Sequence, residues 1–401
     1  LVRHRKSDWA RSQGHKLVTR LLGLLQPDGQ LDYDTLAGLT GKPLTKDLLM
    51  MQRSPAGQWF NATGSTGRAI EAIVWFYEAT GDGAAMELAR LLAVAHLRNV
   101  IDPSGRVRAE LLDPEHVGHT HSYCGTLRGL VLYGLASGER KYVDAVANTY
   151  RKGIWGTSIS HSGWTPHDQG KLRFPNKEGE PIGEHGSCSD VIQLALWLGL
   201  RARQTDMLDD VERLIRARVL PSQIVDKANP RRDGAWGVYS DPFGYGAILD
   251  VFAAVLHSLA DVYGNVVTTA PDGTTSVHLH FDTDMPSVTV RAKRDEIAAI
   301  QITPKKVGML RVRVPAWASR KSVTLSVAGK SMPLRWDGSY LVIKKGRIKA
   351  GATLTLQHDL PATQTVEEMP VSHRKFQLSW RGDEVIACDP KVAIYPAKKS
   401  G

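Results

Sequence analysis

The 401-residue chain contains no apolar run of about 18 residues or more, which argues against a membrane-spanning helix. Its basic residues are scattered without a long run, so no nucleic-acid-binding tail is indicated. It also lacks a phosphate-binding loop and a dinucleotide-binding fingerprint. We therefore expect neither nucleic-acid binding nor membrane insertion. The formal net charge of +10 favours anionic partners in general, acidic polysaccharides included.

Cysteine is scarce as well. Cys124, Cys188 and Cys388 are an odd and sparse set that fits neither a disulfide framework nor a CxxC metal site. We expect Cys124, on the apolar face of a helix, and Cys388, in a strand, to be core residues. Cys188 begins an apolar helix, where a lowered thiol pKa would suit a nucleophile or a ligand. A buried small hydrophobe is the alternative for Cys188.

The first residues, LVRHRKSDWARSQGHKL, lack an initiator methionine and the apolar core of a signal peptide. We expect a mature form or a fragment, secreted or periplasmic if a leader has been removed and cytoplasmic otherwise. The composition, 42% hydrophobic and 23% charged, is ordinary for a globular protein. The length alone allows two or three domains.

Residues 1–262 carry a repeated pattern of paired helices. In GRAIEAIVWFYEATGDGAAMELARLLAVAHLRNV, apolar residues such as Ile70, Ile73 and Val74 recur at helical spacing, and ATGDG marks a turn. The same pattern recurs in CGTLRGLVLYGLASGERKYVDAVANTYRKGIWG and in SDVIQLALWLGLRARQTDMLDDVERLIRARVLPSQI. Such pairs must stack to bury their apolar faces, as a toroid or as a solenoid. Long loops on one rim favour the toroid.

The period changes to two near Gly264. Short alternating or β-branched segments follow, such as TTSVHLHFDT, GMLRVRVPAWA and FQLSWRGDEVIAC, separated by Gly, Pro, Asp and Lys turns. Residues 263–401 are therefore predicted to form an antiparallel β-sandwich. The predicted fold is mainly α with an all-β second domain.

The segment HDQGKLRFPNKEGEPIGEHGSC, residues 167–188, is a long irregular insertion between two helical patterns. Loops of this length inside folded domains are uncommon and usually functional or disordered. Asp168 and Glu184 within it can supply the two carboxylates that glycosidic cleavage requires. Simple surface solvation is the alternative for both.

Three further loops are rich in aromatic and polar side chains: GHTHSYC, HSGWTP and DGAWGVYSDPFGYG. Aromatic faces bind the C–H faces of sugar rings, and polar groups bind the hydroxyls. A polar helix cap and core aromatic residues are the alternatives. The candidate sugar contacts in these loops and in the 167–188 segment are His119, His121, Tyr123, His161, Trp164, His167, Cys188, Trp236 and Tyr239.

Three stretches resemble the retaining β-L-arabinofuranosidases of glycoside hydrolase family 127 (GH127) and their uncharacterised relatives. These stretches are HSYCGTLRGLVLYGLASGERKYVDAVANTYRKGIW, MLRVRVPAWASRKSVTLSVAGK and WRGDEVIACDP, and the likeness spans roughly residues 60–395. The resemblance implies an (α/α)6 barrel followed by a β-sandwich, with His121 in the sugar pocket. Because family members are usually longer, it also implies that the first barrel helices are missing here.

The resemblance also implies where the family's zinc-held cysteine nucleophile would lie. The family's E-x-C motif corresponds to GSC, which keeps Cys188 but replaces the glutamate by Gly186. Its C-C-P motif corresponds to SDP, so the nucleophile position is Ser240 and a ligand position is Asp241. The acid/base glutamate falls near residues 167–169, where Asp168 is the nearest carboxylate. With one thiolate left, we expect no zinc centre of the family type and no other cofactor.

The first hypothesis is a glycoside hydrolase acting on a plant or bacterial glycan, an arabinofuranoside included. Asp168 is the first choice for general acid and Glu184 the second, with Ser240 or Asp241 on the opposite side of the sugar. The loops 161–188 and 233–245 are predicted to meet the HTHSY segment on one rim.

Two alternatives remain open at the level of the sequence. A polysaccharide lyase acting on a uronate polymer would need a His or Tyr base and a group that neutralises the carboxylate. His121, Tyr123, Arg128 and Tyr239 could serve in those roles. A non-catalytic relative that binds glycan is the third hypothesis, because the family's nucleophile and glutamate ligand are replaced.

Overall fold

The protein is described from a computed structural model. The structure describes residues 2–29, 65–113, 117–240, 243–246 and 252–396, together with 32, 35, 38–39, 52–53 and 59–60.

The described part of the first 265 residues is mainly helical. Its α-helices are α1 (Val2–Arg5), α2 (Asp8–Leu22), α3 (Ser65–Thr80), α4 (Gly83–Val100), α5 (Thr120–Ser137), α6 (Arg140–Lys152), α7 (His185–Leu200), α8 (Leu208–Leu214) and α9 (Phe252–Asn265). A π-helical turn, Ile215–Val219, continues α8. None of the helices among the described residues is long and apolar enough to cross a membrane.

Local sequence determines where these helices begin and end. The Asp82 side chain accepts hydrogen bonds from the backbone N–H groups of Ala84 and Ala85, which caps the N-terminus of α4. Gly138 ends α5 in the left-handed conformation, with φ of 76°, which favours glycine. The ATGDG and ASGER turns thus form the predicted helix hairpins α3–α4 and α5–α6.

Helices α3, α5, α7 and α9 pack side by side in chain order and form an inner layer. Nearly every residue of α5 and α7 is buried, as expected for helices covered on all sides. Close packing of α3 on α5 depends on small residues: a Cβ added at Gly129 would lie 2.8 Å from the Ile70 Cβ. Helices α4, α6 and α8 follow the inner helices α3, α5 and α7 and pack against them.

Short strands accompany the helices, and strands dominate after Asn265. The strands of the helical part are β1 (Gln52–Arg53), β2 (Trp59–Phe60), β3 (Val117–His119), β4 (Asp168–Gly170), β5 (Gly183–Glu184) and β6 (Val238–Ser240). The later strands are β7 (Val267–Thr269), β8 (Thr275–Val277), β9 (Thr283–Asp284), β10 (Val288–Arg294), β11 (Ile297–Pro304), β12 (Leu310–Arg313), β13 (Thr324–Val327), β14 (Lys330–Ser331), β15 (Trp336–Asp337), β16 (Tyr340–Ile343), β17 (Leu354–Asp359), β18 (Ala362–Glu368), β19 (Lys375–Arg381) and β20 (Glu384–Asp389).

The later strands form three sheets with the orders β14-β13-β17-β11-β10-β9, β15-β16-β12-β8-β7 and β18-β19-β20. Buried and partly buried residues alternate along β17 and β19, as the period of two predicted. The prediction of purely antiparallel pairing is wrong at one place, because β12 runs parallel to β8. Between β8 and β12 the chain leaves this sheet and forms β9–β11 in another one. Strand β12 then re-enters the first sheet running in the same direction as β8.

A buried ion network joins the helical part to the strands. Arg313 on β12 contacts the Glu212 carboxylate on α8, and the two side chains are almost fully buried. Arg216, in the π-helical turn, lies 2.6 Å from Asp383. Since each buried charge has a partner of opposite sign, the network fixes α8 against the sheets rather than leaving an uncompensated charge.

Candidate active site

The segments that precede the inner helices pair with one another at one end of the helical region. Strand β3 leads into α5 and pairs with β4, so that His119 lies opposite Asp168. Strand β5 leads into α7 and pairs with β6, with Gly183 opposite Ser240. An isolated bridge between Pro166 and Gly183 connects the two ladders. Segments far apart in sequence therefore meet, as we expected for the loops 161–188 and 233–245 and the HTHSY segment.

This pairing creates a cluster of His119, His167 and Glu184, which we call the histidine–glutamate cluster. His119 Nε2 lies 3.1 Å from Glu184 Oε2, which accepts its proton. The rings of His119 and His167 are 4.7 Å apart between centroids. Ser187 Oγ donates to the same Glu184 oxygen at 3.0 Å.

Glu184 is an anion at neutral pH. Burial would raise its pKa, but the hydrogen bond and charge of His119, with the charges of His121 and His167, lower the pKa to about 2. Burial in turn lowers the pKa of His119, although Glu184 opposes that change. A carboxylate with so low a pKa is a poor proton donor, which argues against Glu184 as a general acid, and that second choice stays a prediction.

Asp168, the first choice for general acid, is held in a cationic environment. His167 Nδ1 donates to its Oδ1 at 2.8 Å, and Arg173 donates to both oxygens through Nε and its backbone N–H. Burial raises the pKa of Asp168, but the hydrogen bond with His167 and the contacts with Arg173 outweigh burial and lower it. A lowered pKa argues against Asp168 as a proton donor, and its role as general acid stays a prediction.

A second polar pair lies next to this cluster, formed by His121 and Asp190. His121 Nδ1 makes a short hydrogen bond to Asp190, and Arg128 pairs with the other Asp190 oxygen at 3.1 Å. Burial would lower the pKa of His121, but the Asp190 charge raises it overall. Arg68 Nη2 lies 3.0 Å from His121 Nε2. A guanidinium only donates, so Nε2 accepts in this arrangement and Nδ1 donates to Asp190.

Polar residues also occupy the layer between the inner helices, where sequence reasoning missed them. Glu71 on α3 is buried and pairs with Arg128 of α5 at 2.6 Å. Burial raises the pKa of Glu71 to about 7, although the charge of Arg128 opposes the rise. The available signal was a charged residue inside an otherwise apolar helical stripe, a pattern that Asp190 in α7 repeats.

Three predicted sugar contacts are core residues instead. Tyr123 is fully buried, and its hydroxyl donates to the Val100 carbonyl at 3.4 Å. Trp236 donates through Nε1 to the Val219 carbonyl at 2.7 Å. Cys188 is fully buried in α7, and burial raises the pKa of its thiol to about 12. The predicted low pKa is wrong because burial outweighs the position near the helix N-terminus.

A large cleft lies beside the histidine–glutamate cluster. Its volume is about 720 Å³, and its lining includes Trp155, His161, Trp164, Asp168 and residues 366–371. His161 is exposed, whereas Trp164 is largely buried. The cleft does not contain the cluster but reaches it at Asp168, whose carboxylate binds His167. The cluster and a cleft with aromatic side chains in its lining are therefore neighbours.

The other predicted residues stay predictions. Tyr239 and Ser240 belong to β6, of which the structure gives the backbone. Asp241 lies outside the described residues. The pairing of Gly183 with Ser240 brings this strand to the same end of the helices.

The donor set does not fit the zinc–cysteine centre that the GH127 resemblance implies. Cys188 is buried with a raised thiol pKa, and Gly186 has no side chain to act as a ligand. The other two cysteines, Cys124 and Cys388, are buried core residues, as predicted. The residues present therefore do not form the zinc-bound cysteine nucleophile of that family.

Comparison with solved structures confirms the likeness to GH127 at the level of the fold. A GH127 β-L-arabinofuranosidase from Geobacillus stearothermophilus T6 matches over 96% of this chain and 74% of its own, with 13% identity and a TM-score of 0.50. A second GH127 β-arabinofuranosidase matches over 96% of this chain and 73% of its own, with 14% identity and a TM-score of 0.57. No protein-family model and no curated protein matches the chain.

Proposed function

We propose that the protein is a glycoside hydrolase that cleaves a plant or bacterial glycan at the histidine–glutamate cluster. The observation that carries this proposal is the meeting of His119, His167 and Glu184 beside a cleft of about 720 Å³. Cavities of this size are typical of small-molecule and sugar sites. The shared fold with two GH127 enzymes supports the same reaction class, with arabinofuranosides as the first substrates to test.

The proposal includes the finer architecture. The four inner helices belong to an (α/α)6-type toroid over residues 1–262, and the sheets of residues 263–401 form a β-sandwich. The sequential packing of α3, α5, α7 and α9 supports this arrangement, as does the pairing, at one end, of the strands that precede α5 and α7.

Proton transfer is assigned to His121, because Asp190 orients its ring and an oriented imidazole is a common acid–base group. Glu184 provides the negative charge that the oxocarbenium-like transition state requires nearby. Asp168 holds His167 in position. His161 and Trp164 contact the sugar chain along the cleft, and Ser240 and Asp241 remain candidates on the opposite side.

One observation favours a polysaccharide lyase as the second candidate. Arg68 is exposed and lies 3.0 Å from His121 Nε2, so a cation stands beside the proposed base. A lyase needs a base and a positive group that neutralises the uronate carboxylate. Tyr123, one of the two tyrosines named for this role, does not support it because Tyr123 is buried in the core.

Product analysis distinguishes these functions. The protein is incubated with aryl furanosides, arabinan and uronate polymers, and both reducing sugar and absorbance near 230 nm are measured. We expect reducing sugar without new absorbance, since hydrolysis creates no double bond. A product absorbing near 230 nm would identify a lyase. Glycan binding without any product would support the non-catalytic hypothesis and contradict ours.

A further inference from the structure

The histidine–glutamate cluster has the composition and spacing of a metal site that differs from the family's zinc–cysteine centre. One ligand atom from each of His119, His167 and Glu184 lies within 4.8 Å of the others. His119 Nε2 and Glu184 Oε2 are already 3.1 Å apart. A tetrahedral zinc ion with ordinary bond lengths holds neighbouring ligand atoms roughly 3.3 Å apart. Only small side-chain movements separate the observed arrangement from a coordinating one.

The backbone holds the three ligands in place. The carbonyl of His167 accepts a hydrogen bond at 3.0 Å from the N–H of Thr120, the residue after His119. The N–H of His167 in turn donates to the Ile182 carbonyl at 2.8 Å, two residues before Glu184. The three residues are therefore held next to one another by backbone hydrogen bonds rather than carried on independent loops. Little ordering of the chain is then required when a metal ion binds.

Each ligand also has a partner that orients it. Asp168 accepts from His167 Nδ1 at 2.8 Å, and a histidine that donates from Nδ1 keeps its lone pair on Nε2. His119 Nδ1 lies 3.1 Å from Ser122 Oγ. Ser187 Oγ donates to Glu184 at 3.0 Å. Metal-binding histidines typically have such outer partners, which fix the ring orientation and tautomer.

We propose that His119, His167 and Glu184 bind one divalent transition-metal ion, with zinc as the preferred ion. Two imidazole nitrogens and one carboxylate oxygen suit zinc, whereas magnesium and calcium prefer oxygen ligands alone. Three protein ligands leave a coordination position for water or a sugar hydroxyl. Binding displaces the proton that His119 shares with Glu184. With the ion bound, Glu184 acts as a ligand, and His121 remains outside the coordination set.

Metal titration without substrate tests this inference separately from the proposed reaction. The full chain is treated with a chelator, and zinc binding is measured by calorimetry for wild type and for His119→Ala, His167→Ala and Glu184→Gln. We expect one zinc per chain in wild type and affinities lower by roughly 100-fold or more in each variant. The control is His373→Ala, which changes a histidine that is 75% exposed on a turn.

Cobalt substitution provides a second readout of the ligand set. The cobalt-loaded wild type should show the visible d–d absorption of a low-symmetry cobalt site. It should lack a thiolate-to-cobalt charge-transfer band, because Cys188 is not a ligand. Zinc should also raise the melting temperature of wild type and of His373→Ala but not of the His119 and His167 variants. Failure of wild type to bind zinc, or equal binding by all variants, would overturn the proposal whether or not the protein hydrolyses a glycan.

Discussion

At the scale of single residues, the neighbours of a side chain decide its role more than its position in a motif does. Asp168 was the first choice for general acid and Glu184 the second, yet the histidine or arginine beside each carboxylate lowers its pKa. Cys188 was predicted to be either a reactive thiol or a buried small hydrophobe, and burial, which raises the pKa of its thiol, favours the second. Sequence identifies the side chain, but only the fold supplies the charge or the apolar surface beside it.

The buried thiols lead to a prediction about reactivity. All three cysteines are free and buried, so the native protein should react with iodoacetamide far more slowly than the unfolded protein. Mass spectrometry should find no alkylated cysteine in brief native treatment and three after denaturation. The Cys188→Ser variant should keep its turnover within about threefold of the wild-type value, since a buried thiol takes no part in the proposed reaction. Rapid native alkylation of Cys188 with loss of activity would contradict this assignment.

At the scale of secondary-structure elements, the hairpins were predictable and the site was predictable only in part. Helical spacing at Ile70, Ile73 and Val74 identified α3, and its apolar face is buried as expected. The loops before the inner helices were expected to meet, and they pair through β3–β4 and β5–β6. Arg68, Glu71 and Asp190 were missed, because they face polar partners that come from other helices.

The loop before α9 requires glycine at a close approach of two backbone segments. A Cβ added at Gly237 would lie 2.3 Å from the backbone of Gly246, and His185 Nδ1 donates to the Gly237 carbonyl at 2.6 Å. Gly237→Ala should therefore lower the free energy of unfolding by roughly 1–3 kcal/mol in urea denaturation. The control Gly264→Ala, in α9 with open space around it, should change stability by less than about 1 kcal/mol. Equal effects of the two substitutions would contradict the close approach.

At the scale of the whole molecule, the buried ion network between α8 and the sheets makes folding depend on pH. Burial alone would raise the pKa of Glu212, but the charges of Arg313 and Arg216 lower it well below its usual value of 4.5. The folded state therefore binds this proton less readily than the unfolded state. The contribution of Glu212 to stability is present above about pH 4.5 and is lost as the pH falls into the acid range.

Glu212→Gln should destabilise the protein by about 1.5–3 kcal/mol at neutral pH, because it removes the charge of one of the two carboxylates, Asp209 and Glu212, that contact the buried Arg313. The difference from wild type should shrink as the pH falls below about 4.5, where the Glu212 carboxyl of the unfolded chain takes up a proton while that of the folded protein stays ionised. Urea denaturation over a pH series measures both effects. Glu296→Gln, at an exposed turn, serves as the control and should show neither. A difference in the free energy of unfolding between wild type and Glu212→Gln that stays constant with pH would contradict the ionised state assigned to Glu212.

The boundary between helices and strands and the order of the strands show how much of the whole molecule the sequence could specify. The change of period near Gly264 predicted where helices give way to strands, and β7 begins at Val267. The division into domains at residue 262 remains a prediction. The parallel pairing of β12 with β8 depends on how the chain crosses between sheets, which an alternating pattern does not encode.

The central claim is that the reaction takes place at the histidine–glutamate cluster, and the turnover of Glu184→Gln tests it most directly. The comparison is with Glu178→Gln, which changes an exposed carboxylate in the same 167–188 segment. On a glycan that the wild type hydrolyses, we expect Glu184→Gln to lower kcat by about 100-fold or more and Glu178→Gln to leave it unchanged. Wild-type turnover by a folded Glu184→Gln variant would contradict the claim.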